Sequence, residues 1–308
     1  MREGRASRTA EYNALFRALE SARPADRRLF ADPLARTFLG WRLALVARAA
    51  AAPGLRDLLP RLIDRRWPGP RSAVVARTRL IDDAIEGGLG GSVDQVLILG
   101  AGFDTRAHRL AALRRPRVFE VDHPDTQAAK RRALARALPA LPPNVRFVAH
   151  DFRRDDLGAT LAAAGYREPA PTLFLWEGVT NYLDEAAVDA TLRRCARASP
   201  GSPLIFTYVH RDILSKPESF FGSERLFASL ERFGERFTFG LEPAEVPAFL
   251  AKRGLVLESD VGAAEYRLRY FGDAARAMRG HEFYRVAQAR VAAPDPASSP
   301  ASSPARVC

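Results

Sequence analysis

Three acidic residues and one glycine turn are spaced so that a single ligand could meet all of them. The apolar run Val96-Leu97-Ile98-Leu99 leads straight into Gly100-Ala101-Gly102-Phe103-Asp104-Thr105. Three later apolar runs each deliver an acid: Asp122 after 118–121, Asp151 with Phe152 after 145–148, and Glu177 after 173–176. Glycines allow a tight turn and close approach of a ligand to the backbone, and Asp122, 20 residues beyond Gly102, stands where an acid accepts bonds from ribose hydroxyls. Any one of these acids could simply cap the helix that follows it. Three together beside a glycine turn favour a nucleoside-type cofactor.

The charges discriminate between cofactors. A dinucleotide places its pyrophosphate at the helix N-terminus after the glycine turn. Here that place holds Asp104, and Thr105 stands where the third glycine of a dinucleotide fingerprint belongs. A carboxylate repels a pyrophosphate, whereas a sulfonium and an ammonium attract one. S-adenosyl-L-methionine therefore suits the turn better than NAD. A second clue lies upstream, in the helical pattern over residues 72–86. At about 100° per residue, Val74, Leu80, Ile81, Ala84 and Ile85 share a face with Arg77 near its middle, while Arg79, Asp82, Asp83 and Glu86 form an opposite, solvated face. An arginine aimed into a core needs an anion. That anion is either an internal carboxylate or the carboxylate of a cofactor held by the bidentate guanidinium.

These residues require a scaffold that brings strand ends to one rim. Apolar runs at 96–99, 118–121, 145–148, 173–176 and 204–206 alternate with helical segments, which predicts a parallel sheet covered on both faces: a doubly wound α/β, Rossmann-like fold. Ligands of such sheets bind outside the carboxyl ends of the strands. Helical patterns at 15–19, 33–52 and 72–86 make residues 1–90 an N-terminal helical cap before a catalytic domain over 91–291. Leu255-Val256-Leu257 and the alternating Tyr266-Arg267-Leu268-Arg269-Tyr270, separated by a turn around Gly262, predict an antiparallel edge hairpin. Residues 211–254 form an insertion rich in Phe, with Phe220, Phe221, Phe227, Phe233, Phe237 and Phe239 interleaved with Arg225, Arg232 and Arg236. It is expected either to act as an acceptor lid or simply to pack on the sheet. Residues 292–308, rich in Pro, Ala and Ser, are expected to be a disordered tail.

The chain resembles the leucine carboxyl methyltransferase family and its bacterial relatives, among them polyketide O-methyltransferases. The matching stretches are Asp32-Pro33-Leu34-Ala35, Ala76-Arg77-Thr78-Arg79, Leu97-Ile98-Leu99-Gly100-Ala101-Gly102-Phe103-Asp104-Thr105-Arg106, Phe119-Glu120-Val121-Asp122, His150-Asp151-Phe152 and Glu177-Gly178-Val179-Thr180-Asn181-Tyr182-Leu183. The resemblance implies a class I methyltransferase sheet. It implies that Arg77 holds the carboxylate of S-adenosyl-L-methionine and that Gly100 lines the methionine moiety, with Gly102 of the same turn also at the cofactor. It further implies that Asp122 binds the ribose, Asp151 and Phe152 the adenine, and Glu177 the amino group.

An acceptor is not legible. A carboxylate acceptor is already ionised and needs no base, whereas a hydroxyl needs one within reach. The candidate bases are His210, His150 and Tyr182. A small-molecule acceptor, with a carboxylate as one option, is expected in a pathway of secondary metabolism. Two cysteines, Cys195 and Cys308, provide neither a disulfide framework nor a Cys-rich metal site, so no metal is expected. The net charge of +11 could mark a nucleic-acid partner, but Lys occurs only at Lys130, Lys216 and Lys252, and the arginines are spread through every segment. Coding bias explains them better than a binding patch. With no apolar stretch of signal or membrane-spanning length, a cytoplasmic protein is expected. The alternatives are an NAD-dependent oxidoreductase, a nucleic-acid methyltransferase and a cofactor-binding regulator.

Overall fold

The computed structural model describes residues 8–89, 92–152 and 154–294. Four helices come first: α1 (Arg8–Ser21), α2 (Trp41–Ala50), α3 (Leu55–Arg66) and α4 (Pro70–Ala84). Pro70 at the start of α4 is pre-set for helical φ and lacks the N–H that would go unpaired there. The helix ends in one wider turn over Ile85–Leu89, where Gly88 at φ +136° breaks the pattern.

The sheet then alternates with helices: β1 (Gln95–Leu99), α5 (Arg106–Arg109), β2 (Arg117–Asp122), α6 (Pro124–Ala137), β3 (Val145–Ala149), α7 (Leu157–Ala163), β4 (Thr172–Trp176), α8 (Glu185–Cys195) and β5 (Pro203–Val209). After α9 (Asp212–Ser215), α10 (Ser223–Phe233) and α11 (Val246–Ala251) come β6 (Leu255–Gly262), α12 (Ala263–Phe271) and β7 (Tyr284–Val291). The spatial order is β3-β2-β1-β4-β5-β7-β6. β1 to β5 pair in parallel, and β7 runs antiparallel between β5 and β6. All five predicted parallel strands lie within β1 to β5. The order reverses between β1 and β4, the switch point at which ligands of doubly wound sheets bind.

Both faces of the sheet are covered. One packs Leu97, Phe119, Phe174 and Phe206 against Leu161, Val188 and Leu250 of α7, α8 and α11. The other packs Val96, Ile98, Leu175 and Ile205 against Ala76, Leu80 and Ile81 of α4 and Tyr266 of α12. Thus α4 belongs to the wall of the sheet as well as to the helical layer, which has its own core of Leu15, Leu19, Val74 and Val75.

The edge differs from expectation. β6 is a strand with an antiparallel partner, but the partner is 284–291, and 266–270 lies in α12. In a strand, Leu268 would have faced opposite to Arg267, with either one free to turn inward. The helix instead buries Tyr266 and Arg267 and leaves Leu268 53% exposed, because the Arg267 guanidinium finds the carbonyls of Met278 and Gly280 and the Glu282 carboxylate. Those partners lie 11 to 15 residues downstream, outside any local pattern.

The Phe-rich insertion also divides. Phe237 and Leu230 form a small core with Val209, Ile213, Phe283 and Tyr284, against which Phe220 and Phe227 pack. Phe239 joins the main core, Phe233 stacks on Tyr12, and Phe221 remains 44% exposed. Of the expected tail, 292–308, residues 295–308 lie outside the described residues. No described helix is long and apolar enough to cross a membrane.

Candidate active site at the carboxyl ends of the strands

A cavity of about 1050 Å³ opens at the carboxyl ends of β1, β2, β3 and β4. Every residue expected at a cofactor site lines it: Arg77, Gly100, Gly102, Asp122, Asp151, Phe152 and Glu177. The turn after β1 explains its glycines. Gly100 has φ +65°, and a Cβ there would collide with Cγ2 of Val179 in the loop after β4. Gly102, at φ +41°, presents its N–H to the Asp122 carboxylate.

Asp122 ends β2 and accepts from two backbone donors, Gly102 through Oδ2 and His123 through Oδ1 at 2.6 Å. The cap of α6 is His123, whose Nδ1 accepts from the Asp125 amide, so capping does not explain Asp122. Burial pushes its carboxyl up, against the pull of the two amides and Lys130. Phe152 meets His150 edge-on at 4.8 Å beside Asp151, giving an aromatic wall at the end of β3.

Glu177 is the hub of the opposite wall. Its Oε1 accepts from Nε of Arg77 at 2.7 Å and its Oε2 from Nη1 of Arg106 at 2.7 Å. Burial alone would push Glu177 up, but the two guanidiniums hold it at about 2. Asp104 is likewise held well below the usual carboxylate range: burial opposes ionisation, and Arg106, Lys130 and Arg17 outweigh it. Its Oδ1 accepts the Arg106 amide at 2.7 Å and its Oδ2 the Arg106 guanidinium at 2.5 Å. The N-terminus of α5 is therefore already occupied by an ionised carboxylate, and a pyrophosphate there would meet like charge.

Arg77 finds its anion inside the protein, in Glu177, yet only Nε is used. Nη1 and Nη2 make no hydrogen bond to any described residue, although Arg77 is just 4% exposed and lines the cavity. Such a half-satisfied guanidinium suits a carboxylate ligand. Gly178, at φ +71°, lines the same wall and has nothing within 4 Å of where a Cβ would stand. A ligand bearing a carboxylate, an ammonium and a ribose fits these walls, and no phosphate is required.

Three residues behind the site were not legible in the sequence in this role. Asp82, expected on a solvated face, is 5% exposed and bridges Arg106 Nε (2.8 Å) and Arg109 Nη2 (2.7 Å). The correction is physical: α5 packs beside α4 and supplies two cations to a position that periodicity alone turns outward. Arg79 and Asp83 do remain solvated, as expected. Asp32, 1% exposed, accepts from Arg17 (2.9 Å), Thr105 (2.7 Å) and the Ala35 amide (3.0 Å), fastening α1 to the turn after β1. Arg106 closes the motif around Gly100, and its value lies in long-range partners that spacing does not reveal.

The candidate bases separate. Tyr182 lines the cavity and packs on Phe237, and its hydroxyl lies near Thr9 and Glu235. Burial pushes its pKa well above 10, so it stays protonated at neutral pH. His210 does not line the cavity. It sits with Asp212 and Glu242, their ligand atoms within 4.8 Å of one another. His150 lines the cavity on the Phe152 side, its pKa lowered by burial. Of the Phe-rich insertion, Gly234, Glu235, Arg236 and Thr238 reach the cavity, while its Phe side chains do not line it.

The chain is similar to known proteins. The family profile described as leucine carboxyl methyltransferase matches residues 10–196. A Streptomyces coelicolor protein provisionally named an S-adenosyl-L-methionine-dependent methyltransferase is 36% identical over 221 residues, covering 68% of this chain and 71% of its own. One from Parafrankia sp., named the same way, is 33% identical over 267 residues, covering 84% and 81%. The crystal structure of a provisionally named methyltransferase from Thermobifida fusca superposes with a TM-score of 0.61 at 18% identity, covering 95% of this chain and 97% of that one.

Proposed function

Since the chain belongs to the leucine carboxyl methyltransferase family and its relatives are S-adenosyl-L-methionine-dependent methyltransferases, we propose that it methylates an oxygen, most simply a carboxylate, of a small organic molecule. The observation that carries the cofactor half of this reading is the buried Arg77 with two unused nitrogens, facing a wall of ionised carboxylates. S-adenosyl-L-methionine supplies a methyl group on a positively charged sulfur, and the acceptor oxygen forms its bond to that carbon as the carbon–sulfur bond breaks and its electron pair stays on sulfur. Arg77 would hold the amino-acid carboxylate, Glu177 its ammonium and Asp122 the ribose hydroxyls. Asp151 and Phe152 would flank the adenine, and Gly100 and Gly102 would let the backbone approach.

The protein's own work is positioning, since an in-line displacement depends on holding the acceptor at near-attack distance. Tyr182 is protonated at neutral pH, His210 stands away from the cavity, and His150 lies on the Phe152 side, where the adenine would sit, which supports an acceptor that arrives ionised and needs no base. Arg236, on the cavity wall, offers positive charge for such an acceptor. We propose a division of labour in which the helical layer within 1–90 and the insertion 211–254 close over the acceptor, while the rest of 91–291, together with Arg77 of α4, holds the cofactor.

The test is a ligand titration of the purified protein. S-adenosylhomocysteine should raise the melting temperature and NAD should not. At about 100 times the dissociation constant the gain is roughly 2.7 kcal/mol. Stabilisation by NAD alone would overturn the reading. A panel of small carboxylic acids and phenols, assayed with labelled methyl donor, then separates carboxylate from hydroxyl acceptors.

A further inference from the structure

At the opposite end of the sheet from the cofactor cavity, the geometry points to a second binding site, one for a phosphate group, formed by Arg115, Arg117, Arg146 and Arg167. These four residues line a pocket of about 260 Å³ at the amino ends of β1, β2 and β3. They come from three separate stretches of chain: the loop into β2 with the first residue of that strand, the second residue of β3, and the loop between α7 and β4. Register brings them together, because Gln95 of β1 pairs with Arg117, and Phe119, two residues on, pairs with Arg146. With about 3.3 Å per strand residue, the pocket lies roughly 16 Å from the carboxyl rim, so an occupant here does not touch the cofactor site.

The loops carrying these arginines are anchored. Asn144 Nδ2 donates to the carbonyls of Leu113 (2.9 Å) and Pro116 (2.8 Å), fixing the approach to β2 and β3. Gln95 clasps the backbone of Arg167 from both sides, donating to its carbonyl and accepting its amide, each at 3.0 Å. Arg117 Nη1 donates to the Gly165 carbonyl at 3.2 Å, which directs it along the same wall.

Elsewhere in the protein, guanidiniums at close quarters have carboxylates: Arg17 with Asp32, Arg71 with Asp64, Arg106 with three acids, Arg109 with Asp82. None of the four pocket arginines is within ion-pair distance of a carboxylate among the described residues, and the single acid on the wall, Asp94, is exposed and unpaired. Four arginines and one carboxylate on the same wall leave the pocket with a net positive charge, which a multiply charged anion neutralises. Arginine forks match the oxygens of a phosphate or diphosphate in geometry as well as charge. The pocket volume admits a diphosphate and excludes most of a larger molecule, which would extend into solvent. The occupant is a phosphate or diphosphate group, either free or at the end of an organic molecule.

The experiment is calorimetric titration of the full chain, saturated with S-adenosylhomocysteine, at ionic strength held constant with NaCl. Inorganic phosphate, pyrophosphate and ADP are the probes. We expect saturable one-to-one binding of pyrophosphate that falls about ten-fold or more in R117Q/R146Q and equally in R115Q/R167Q. It should stay unchanged in R61Q/R65Q, which removes two arginines from α3. S-adenosylhomocysteine affinity, measured separately, should match the parent in all three variants and so report their folding. ADP binding more tightly than pyrophosphate identifies an organic phosphate as the occupant, and the reverse identifies the free anion. The proposal is overturned by non-saturable binding, by equal pyrophosphate affinity in R117Q/R146Q, or by an equal loss in R61Q/R65Q.

Discussion

Asp122 receives two backbone N–H groups and still presents lone pairs to the cavity, so one side chain shapes the turn after β1 and faces the cavity. Asp122→Ala removes charge-assisted bonds worth about 1.5–3 kcal/mol each, and cofactor affinity should fall ten-fold or more. Asp122→Asn should behave similarly, because its amide NH₂ would face one of the two N–H donors. Calorimetry with S-adenosylhomocysteine measures the affinity, and a melting curve verifies that each variant folds. Unchanged affinity in both would overturn the ribose assignment. For Arg77, a lysine keeps a charge beside Glu177 and loses the fork. Arg77→Lys should therefore weaken S-adenosylhomocysteine binding by about ten-fold while adenosine, which lacks the carboxylate, binds as in the parent. Equal weakening of both ligands would show that Arg77 acts only through the shape of the site.

The site depends on two loops that touch, the turn after β1 and the loop after β4. Gly100→Ala imposes both a left-handed φ on a residue with a Cβ, costing about 1–2 kcal/mol, and a collision with Val179. Val179→Ala removes the methyl groups that collide and not the backbone penalty. In urea unfolding, the pair Gly100→Ala/Val179→Ala should be more stable than the sum of the single changes predicts, by about 1 kcal/mol or more. Strict additivity would mean that the two loops move apart to accommodate the methyl group. Elements were legible where their signal was local. The five parallel strands follow from apolar runs, and α4 follows from its periodicity. The segment 266–270 was not, because a five-residue alternation is compatible with a strand, and Arg267 satisfies its guanidinium only through carbonyls brought near by the loop before β7.

Across the whole molecule, the buried charges give stability a definite pH dependence. Burial, then the guanidiniums of Arg267 and Arg77, lowers His281 from 6.5 to about 3, and burial also lowers His150. A base with a depressed folded pKa binds fewer protons folded than unfolded, so its contribution is present above about pH 6.5 and is lost as pH falls. Glu177, held at about 2 against 4.5, extends the loss from about pH 4.5 downwards. Asp82 and Asp122 are raised and so oppose this trend as they protonate. The melting temperature should begin to fall below about pH 6.5. His281→Asn, a residue that tolerates the φ of +61° at this position, should flatten the part between 6.5 and 5. An unchanged slope in that variant would assign the fall to other groups. Removal of residues 295–308 should leave folding and S-adenosylhomocysteine affinity intact, given their Pro, Ala and Ser content. Loss of soluble protein on removal would show that they are docked.

The acids and the glycine turn of the rim are legible from local order alone, because a residue that follows a buried parallel strand must emerge at its carboxyl end whatever the rest of the chain does. The preference for S-adenosyl-L-methionine over NAD is legible in the same way, since Asp104 and Thr105 are local to the turn. Which charges meet is set by the packing of distant elements. Arg77 and Glu177 are 100 residues apart, Asp82 turns inward because α5 brings two arginines to it, and four arginines that look scattered along the chain converge at one end of the sheet. Periodicity fixes the direction of a side chain on its own element, but an ion pair depends on two elements being packed together, and that packing is set by the whole core.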